Sequence, residues 1–446
     1  MKTKIQQSNE EINSIGGISL IGGLFNNLKN MKKVDSMQMA KVKTGRISHS
    51  EILKSTAALF AIGKNDYADI ELFRHDPFFL DCLQLSRGAS EETLRQRLDI
   101  LAQEQKVLDF VLQSNVEMLK RVTDFGTEKT EYGEYIPLDI DVSPLDNSGS
   151  SKEEVSWTYK NHDGYAPIFA YLGTHGYMIN CELRPGSQHS NKNALEFIRQ
   201  TLDMLEQLGV DLSKVLVRLD SAHDCGKIIQ ELKERGVNYI IKRNLRHECK
   251  EWWLAQARRV GNSSMPREGK QIFIGEVSHI DPPGCENPAP IFATFEVIER
   301  TIDRDGVDLL INDIEVNTFW TNLPEEAKTV IQLYHAHGTS EQFHSELKTD
   351  LDFERLPSGK FATNSLLLLL AMLAFNVLRI LGQAALQMKN ALPRKFKVQR
   401  RRLRSVIQDL IYIACKRVRH AGSIFLKFGR HCPWFEVFRK LHIKFC

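Results

Sequence analysis

The sequence lacks the marks of several protein classes. Its eight cysteines, at 82, 181, 225, 249, 285, 415, 432 and 446, include no CxxC pair, and no secretory signal opens the chain. That pattern argues against a disulfide scaffold and fits free thiols in a reducing cytosol. No apolar run reaches the ~20 residues a bilayer span requires. The strongest, Leu366 to Phe375, is followed at once by Asn376 and then Arg379. It is expected to be a buried helix, so no membrane partner is expected. Ser221, His223 and Asp224 are hydrolase residue types, but no Gly-x-Ser-x-Gly elbow accompanies them. His335, His337 and His344 cluster without any standard zinc spacing.

What the chain does have is length, ordinary globular composition and an uneven charge. Its 446 residues suffice for a large core and two or three domains. The net charge is only +3, yet from Arg394 to Cys446 there are 15 Lys or Arg against two acids, Asp409 and Glu436. That tail carries +13 and the rest of the chain −10. Such asymmetry implies a polyanion partner for the basic end, against the plainer reading of a solvated basic surface. Arg400, Arg401, Arg402 and Arg404 form the densest run. They are expected on a helix with Val406, Ile407 and Leu410 beneath, as contacts to a DNA backbone.

The texture along the chain suggests six parts. Residues 1–45 are polar with Gly16-Gly17 and Gly22-Gly23, and read as a flexible arm. Residues 46–130 read as a helical DNA-binding domain. Within it, Ser90-Glu91-Glu92-Thr93 opens a helix well, and Arg95 and Arg97 make that helix either a DNA reader or an ordinary surface helix. From Tyr135 the period changes to two, so Leu138 and Ile140 share one strand face and Asp139 and Asp141 the other. Further strands are expected at 168–172, 177–183, 215–219 and 239–241, with helices at 193–208 and 227–235. That order fits a mixed α/β sheet over 131–244, resumed over 319–390. Residues 245–318 read as a β-rich insertion turning at Pro282-Pro283-Gly284, and 391–446 as a basic helical region.

Three acids stand in telling contexts. Asp220 ends the strand Val215 to Leu219, and Asp141 sits near the end of its own strand, where open α/β sheets build sites. Glu341 belongs to a helix. If that helix were continuous, Tyr334, His337, Glu341 and Lys348 would fall within roughly a 60° arc. The alternative is a fresh helix start at Gly338-Thr339-Ser340. Carboxylates gathered from distant segments are costly unless a cation holds them. Two Mg²⁺ ions roughly 4 Å apart would activate water and stabilise a leaving oxygen, which suits a phosphodiester.

These residues resemble a known family. Gly63 to Asp69, Leu72 to Pro77, Leu138 to Asp141, Leu183 to Gly186 and Val217 to Ser221 are family-like text. The third block, Tyr334, Glu341 and Lys348, matches Tyr-x2-Arg-x3-Glu-x6-Lys, with His337 at the arginine position. The chain resembles the DDE transposases of bacterial insertion sequences, group 1, and within them the insertion-sequence thirteen-eighty family. The resemblance implies an RNase H-like mixed-sheet catalytic core, with Asp141, Asp220 and Glu341 as catalytic metal ligands. Asp139 is the alternative first acid, and Asp224 a weaker alternative to Asp220. It implies two Mg²⁺ ions, replaceable by Mn²⁺, and no small-molecule cofactor. It also implies DNA contacts from Tyr334, His337 and Lys348, transposon-end and target DNA as partners, and a homodimer in the DNA complex. The place of action would be the bacterial cytoplasm, at the nucleoid. Trp252 and Trp253 in the insertion are read either as core or as an aromatic that stacks a flipped base. The rival functions are an RNase H-like nuclease without strand transfer and a DNA-binding derivative without catalysis.

Overall fold

In the computed structural model, which describes residues 3–39, 47–280, 291–303, 305–395 and 397–446, the alternation at Tyr135 builds the strand on which the sheet is organised. The chain divides into two compact units. The first comprises Met1–Thr123, Leu145–Tyr165 and His344–Cys446; the second comprises Asp124–Pro144 and Ala166–Phe343.

The second unit holds the acids. Its strands are β1 (Glu134–Val142), β2 (Ile168–Leu172), β3 (Tyr177–Glu182), β4 (Val215–Leu219), β5 (Asn238–Lys242), β6 (Asn262–Arg267), β7 (Lys270–Ile280), β8 (Ile291–Ile302) and β9 (Asp308–Thr321). With the short strand Glu128–Lys129 they form one sheet of ten strands among the described residues, in the order β6-β7-β8-β9-β5-β4-β1-β2-β3. β1 runs antiparallel to β2 and parallel to β4, and β4 runs parallel to β5. Parallel neighbours need crossovers. Helices Ala194–Leu208 and Gly226–Glu234 supply them, the first stopped by Gly209 at φ 78°. Leu138 and Ile140 are fully buried, and every residue of β4 is buried, as a central parallel strand requires.

The β-rich segment is not a sheet of its own. β9 pairs with β5 at Ile240↔Thr321 and with β8 at Ala293↔Trp320, so the meander lengthens the core sheet. A helix, Lys250–Val260, precedes the meander. Its Trp253 is buried with Leu254, Ala257, Phe273, Phe295 and Val297, and its Nε1 donates to Glu248 at 2.7 Å. Trp253 is therefore core, while Trp252 is 47% exposed. The expected turn at Pro282-Pro283-Gly284 lies outside the described residues.

In the first unit, helix Phe361–Gln387 packs with helices His49–Ala61 and Gln105–Leu119. It does not end at Asn376. It runs for 27 residues, long and apolar enough to cross a bilayer by length and composition, yet its most apolar stretch is 94% buried in the protein. The polar residues are absorbed by partners: Asn376 donates to Asn115 at 2.8 Å, and Arg379 to Glu346 at 2.9 Å.

Two expectations for the ends are overturned. Residues 1–45 are not a loose arm, because helix Ile18–Phe25 is almost wholly buried. Its glycines mark close approach rather than looseness. A Cβ on Gly17 would collide with the Leu410 carbonyl, and one on Gly22 with that of Cys82. Nor is 391–446 helical throughout. Cys415–His420 and Ser423–Phe428 form a hairpin that pairs with Ile12–Asn13, and a helix follows only at Phe435–Phe445. The reason is period two: Cys415 and Arg417 point inward while Lys416 and Val418 lie between.

Candidate active site

Asp141 and Asp220 come together through strand register. β1 and β4 are parallel neighbours paired to Ile140↔Leu219. The next residue on each is the acid, so two carboxylates emerge side by side where the strands end. Asp220 then caps the short turn Ser221–His223. Its Oδ1 accepts from Ala222 N at 3.1 Å and from His223 Nδ1 at 2.7 Å. The side chain of Asp220 is 42% exposed, whereas that of His223 is fully buried. Nε2 of His223 has no hydrogen-bond partner among the described residues. Asp141 is partly exposed, and its Oδ1 accepts from Val142 N at 2.8 Å.

Tyr334 lies within the field of this pair. Its ring lies 4.6 Å from Phe319 and 5.9 Å from His337. Burial pushes its pKa well above the usual value, and the charges of Asp220, Asp141 and Asp139 add to the rise. The hydroxyl therefore stays protonated and is available as a donor.

Asp139, the alternative metal ligand, is not open to a metal. It is 2% exposed and holds Arg218 bidentately at 2.6 and 2.7 Å, and His337 Nδ1 approaches it at 2.8 Å. Burial opposes its ionisation, but Arg218 and His337 outweigh it and keep its pKa low. Arg218 also donates to the Leu333 carbonyl at 2.8 Å, tying β4 to helix Ala327–His335. His337 is likewise corrected: it is buried against Asp139 and is not a phosphate contact. Burial disfavours its imidazolium, yet Asp139 raises its pKa on balance. Asp224 is no second acid either. It is buried, accepting Trp320 Nε1 at 2.8 Å and Asn244 N at 3.0 Å.

The chain stays helical from Tyr334 to Glu341. Helix Ala327–His335 tightens to a 3₁₀ turn over Ala336–Thr339 and resumes as Ser340–Ser345, with His335, Ala336 and Ser340 all in the right-handed helical region, so the tighter turn widens the expected arc without breaking the helix. Glu341 is exposed. Two residues on, Phe343 packs against Tyr171 of β2 at 5.1 Å, beside Gly176. Lys348 belongs to the first unit. The structure thus sets Asp141 beside Asp220 but gathers no ligand set with Glu341. Among the described residues, no three His, Cys, Asp or Glu side chains are grouped to hold a metal ion.

The basic run is also corrected. Arg400 to Arg402 precede the short helix Leu403–Val406 and are not helical. They are committed to carboxylates of their own unit: Arg400 to the buried Glu346, Arg401 to the partly exposed Asp409 and Arg402 to the buried Asp350 at 2.8 Å. Arg401 also lies 4.4 Å from the Trp434 ring. Arg404 keeps an exposed side chain, and its backbone N–H donates to Asp350 at 3.1 Å. Val406, Ile407 and Leu410 are buried as expected.

From the sequence alone, neither His223 nor Arg218 had a role in this site. One signal existed for each: His223 lies one 3₁₀ turn beyond Asp220, and Arg218 is a charge inside an otherwise apolar strand.

A search of curated proteins finds no match. Among solved structures, the chain is similar to a piggyBac transposase in a synaptic complex with hairpin DNA, at 10% identity and a TM-score of 0.44. That alignment covers 89% of this chain and 79% of the other. The family model described as transposase DDE domain, group 1, matches residues 1–279 and 294–445. The chain is a member of the group 1 family of transposase DDE domains.

Proposed function

We propose that this transposase cuts the ends of an insertion sequence with Asp141, Asp220 and Glu341 and joins them to target DNA. The observation that carries the reading is the adjacency of Asp141 and Asp220 at the ends of two parallel strands. The strand order β3-β2-β1-β4-β5 supports an RNase H-like core: three antiparallel strands followed by two parallel ones.

The donors fit a hard divalent cation. They are carboxylate oxygens at a solvent-accessible edge, and Oδ2 of Asp220 has no protein donor among the described residues. Mg²⁺ is content with one or two carboxylates and several waters. Asp141 and Asp220 would hold the first ion, and Glu341 would join when DNA is bound. Bound there, such ions supply a water activated for in-line attack and charge stabilisation at the leaving oxygen. The chain's own groups do the rest. His223 fixes the carboxylate plane of Asp220, and Tyr334 offers a protonated hydroxyl to a phosphate oxygen. Asp139, Arg218 and His337 lock β1, β4 and the turn before Glu341 together. The helical residues 46–130 would read the terminal repeats, and two copies would pair the two ends in the bacterial cytoplasm.

The test is cleavage of a labelled transposon end by the purified protein with Mg²⁺ or Mn²⁺. Nicking followed by joined products is expected, and Asp141→Ala, Asp220→Ala and Glu341→Ala should each abolish both. Full cleavage by Glu341→Ala overturns the assignment. Nicking without joining assigns the nuclease alternative.

A further inference from the structure

In the first unit a cavity of about 600 Å³ opens between helix Ile18–Phe25, helix Pro77–Cys82, the C-terminal hairpin and the last helix. That is the size of a small-ligand site. Its walls are aromatic. Phe428 packs at 5.6 Å from Phe435 and at 4.7 Å from Phe438. Phe425 and Phe435, at the mouth, are 47% and 38% exposed.

The polar groups are as specific as the rings. Arg417 lines the cavity with a side chain only 1% exposed. Its Nη2 pairs with Asp81, and its Nη1 lies 3.5 Å from a carboxylate oxygen of Glu11. Around the mouth, Cys415 to Cys446 carries eight Lys or Arg and one acid. Arg419, Lys427, Arg430, Arg439, Lys440 and Lys444 are all exposed. An aromatic slot ringed by cations matches one class of ligand: a flat heterocycle attached to a polyanion. Apolar peptides share the rings but not the charge.

We propose that this cavity takes up one unpaired base of a single-stranded DNA segment. The base stacks on Phe425 and Phe435, and the flanking phosphates lie on the surrounding cations. The proposal deepens the DNA-acting reading above and rests on it for the nature of the polymer.

The test uses the full-length protein in EDTA, so that cleavage plays no part. The probes are a fluorescein-labelled 12-mer single strand with one 2-aminopurine, and a blunt duplex of the same sequence. Expected are quenching of the 2-aminopurine on binding and about a tenfold loss of single-strand affinity in Phe425→Ala and in Phe435→Ala. Duplex affinity should stay unchanged, and Phe425→Trp should restore single-strand binding. Both aromatics are exposed, so neither variant threatens the fold. Equal losses for both probes, no loss, or no quenching each overturn the proposal. Loss of a protein dimer with single-strand affinity unchanged would assign the cavity to a second copy and overturn it too. Failure of the cleavage assay with intact single-strand binding would refute the catalytic reading and leave this one standing.

Discussion

His223 Nδ1 donates to Asp220 Oδ1 at 2.7 Å from a fully buried ring. The carboxylate can only accept, so Nδ1 carries the proton, and the orientation of Asp220 is fixed from beneath. Groups that orient a ligand to this degree commonly matter about 10–100-fold in metal affinity or activity. We expect His223→Ala to lower end cleavage by that order and to raise the Mg²⁺ concentration needed for half-maximal rate. His223→Asn, whose amide can still donate, should recover part of both. An unshifted Mg²⁺ requirement in His223→Ala would reduce the residue to packing.

Asp139, with Arg218 and His337 around it, sets a pH-dependent component of stability. The folded pKa of His337 is raised above 6.5. The folded protein therefore binds the proton more tightly than the unfolded chain. This contribution is complete below about pH 6.5 and is lost as pH rises through the raised value. Urea unfolding of His337→Gln should thus show a deficit of roughly 1–3 kcal/mol at pH 5.5 that shrinks at pH 8.5. A deficit that is equal at both pH values would refute the linkage. Removing Arg218 should cost more, about 3–5 kcal/mol, since Asp139 would be left buried and unpaired.

The strands and crossover helices of the acid-bearing sheet are legible in the sequence because each side of the pattern is local. Val215 to Leu219 is uniformly apolar but for Arg218, and Gly209 and Gly236 stop their helices where a left-handed residue is needed. What is not legible depends on contacts between distant segments. Asp139 and Asp141 have the same sequence environment, and only the arrival of Arg218 and His337 separates a buried ion-pair partner from an open acid. Gly16-Gly17 reads as flexibility until Leu410 and Ile413 are seen to pack against it. Arg400 and Arg402 read as part of a DNA-facing run because their acceptors, Glu346 and Asp350, lie elsewhere in the chain. Of the site itself, the strand-borne pair could be read; the way Glu341 is carried could not, because the 3₁₀ turn at Ala336–Thr339 shifts the faces of an otherwise continuous helix.

The same correction changes what the basic tail should do in salt. Each phosphate contact contributes close to one unit to the slope of log K against log salt. Arg401 and Arg400 already hold carboxylates, so Arg401→Ala should destabilise the first unit without flattening that slope. Lys427→Ala with Lys440→Ala removes two exposed cations and should flatten it by about two units for duplex DNA. A flattened slope in Arg401→Ala at unchanged stability would restore those arginines to the DNA interface.

Gly176 controls how Glu341 is presented. It has φ +67°, and a Cβ there would run into the ring of Phe343, two residues after Glu341. Gly176→Ala should therefore displace the helix Ser340–Ser345 as well as strain the turn, by roughly 1 kcal/mol for the left-handed backbone alone. We expect end cleavage to fall far more than DNA binding. Gly176→Ala combined with Phe343→Leu relieves the collision but not the backbone strain. It should regain cleavage while remaining less stable than the parent. If the double variant recovers stability but not cleavage, the packing of Phe343 beside Gly176 does not position Glu341.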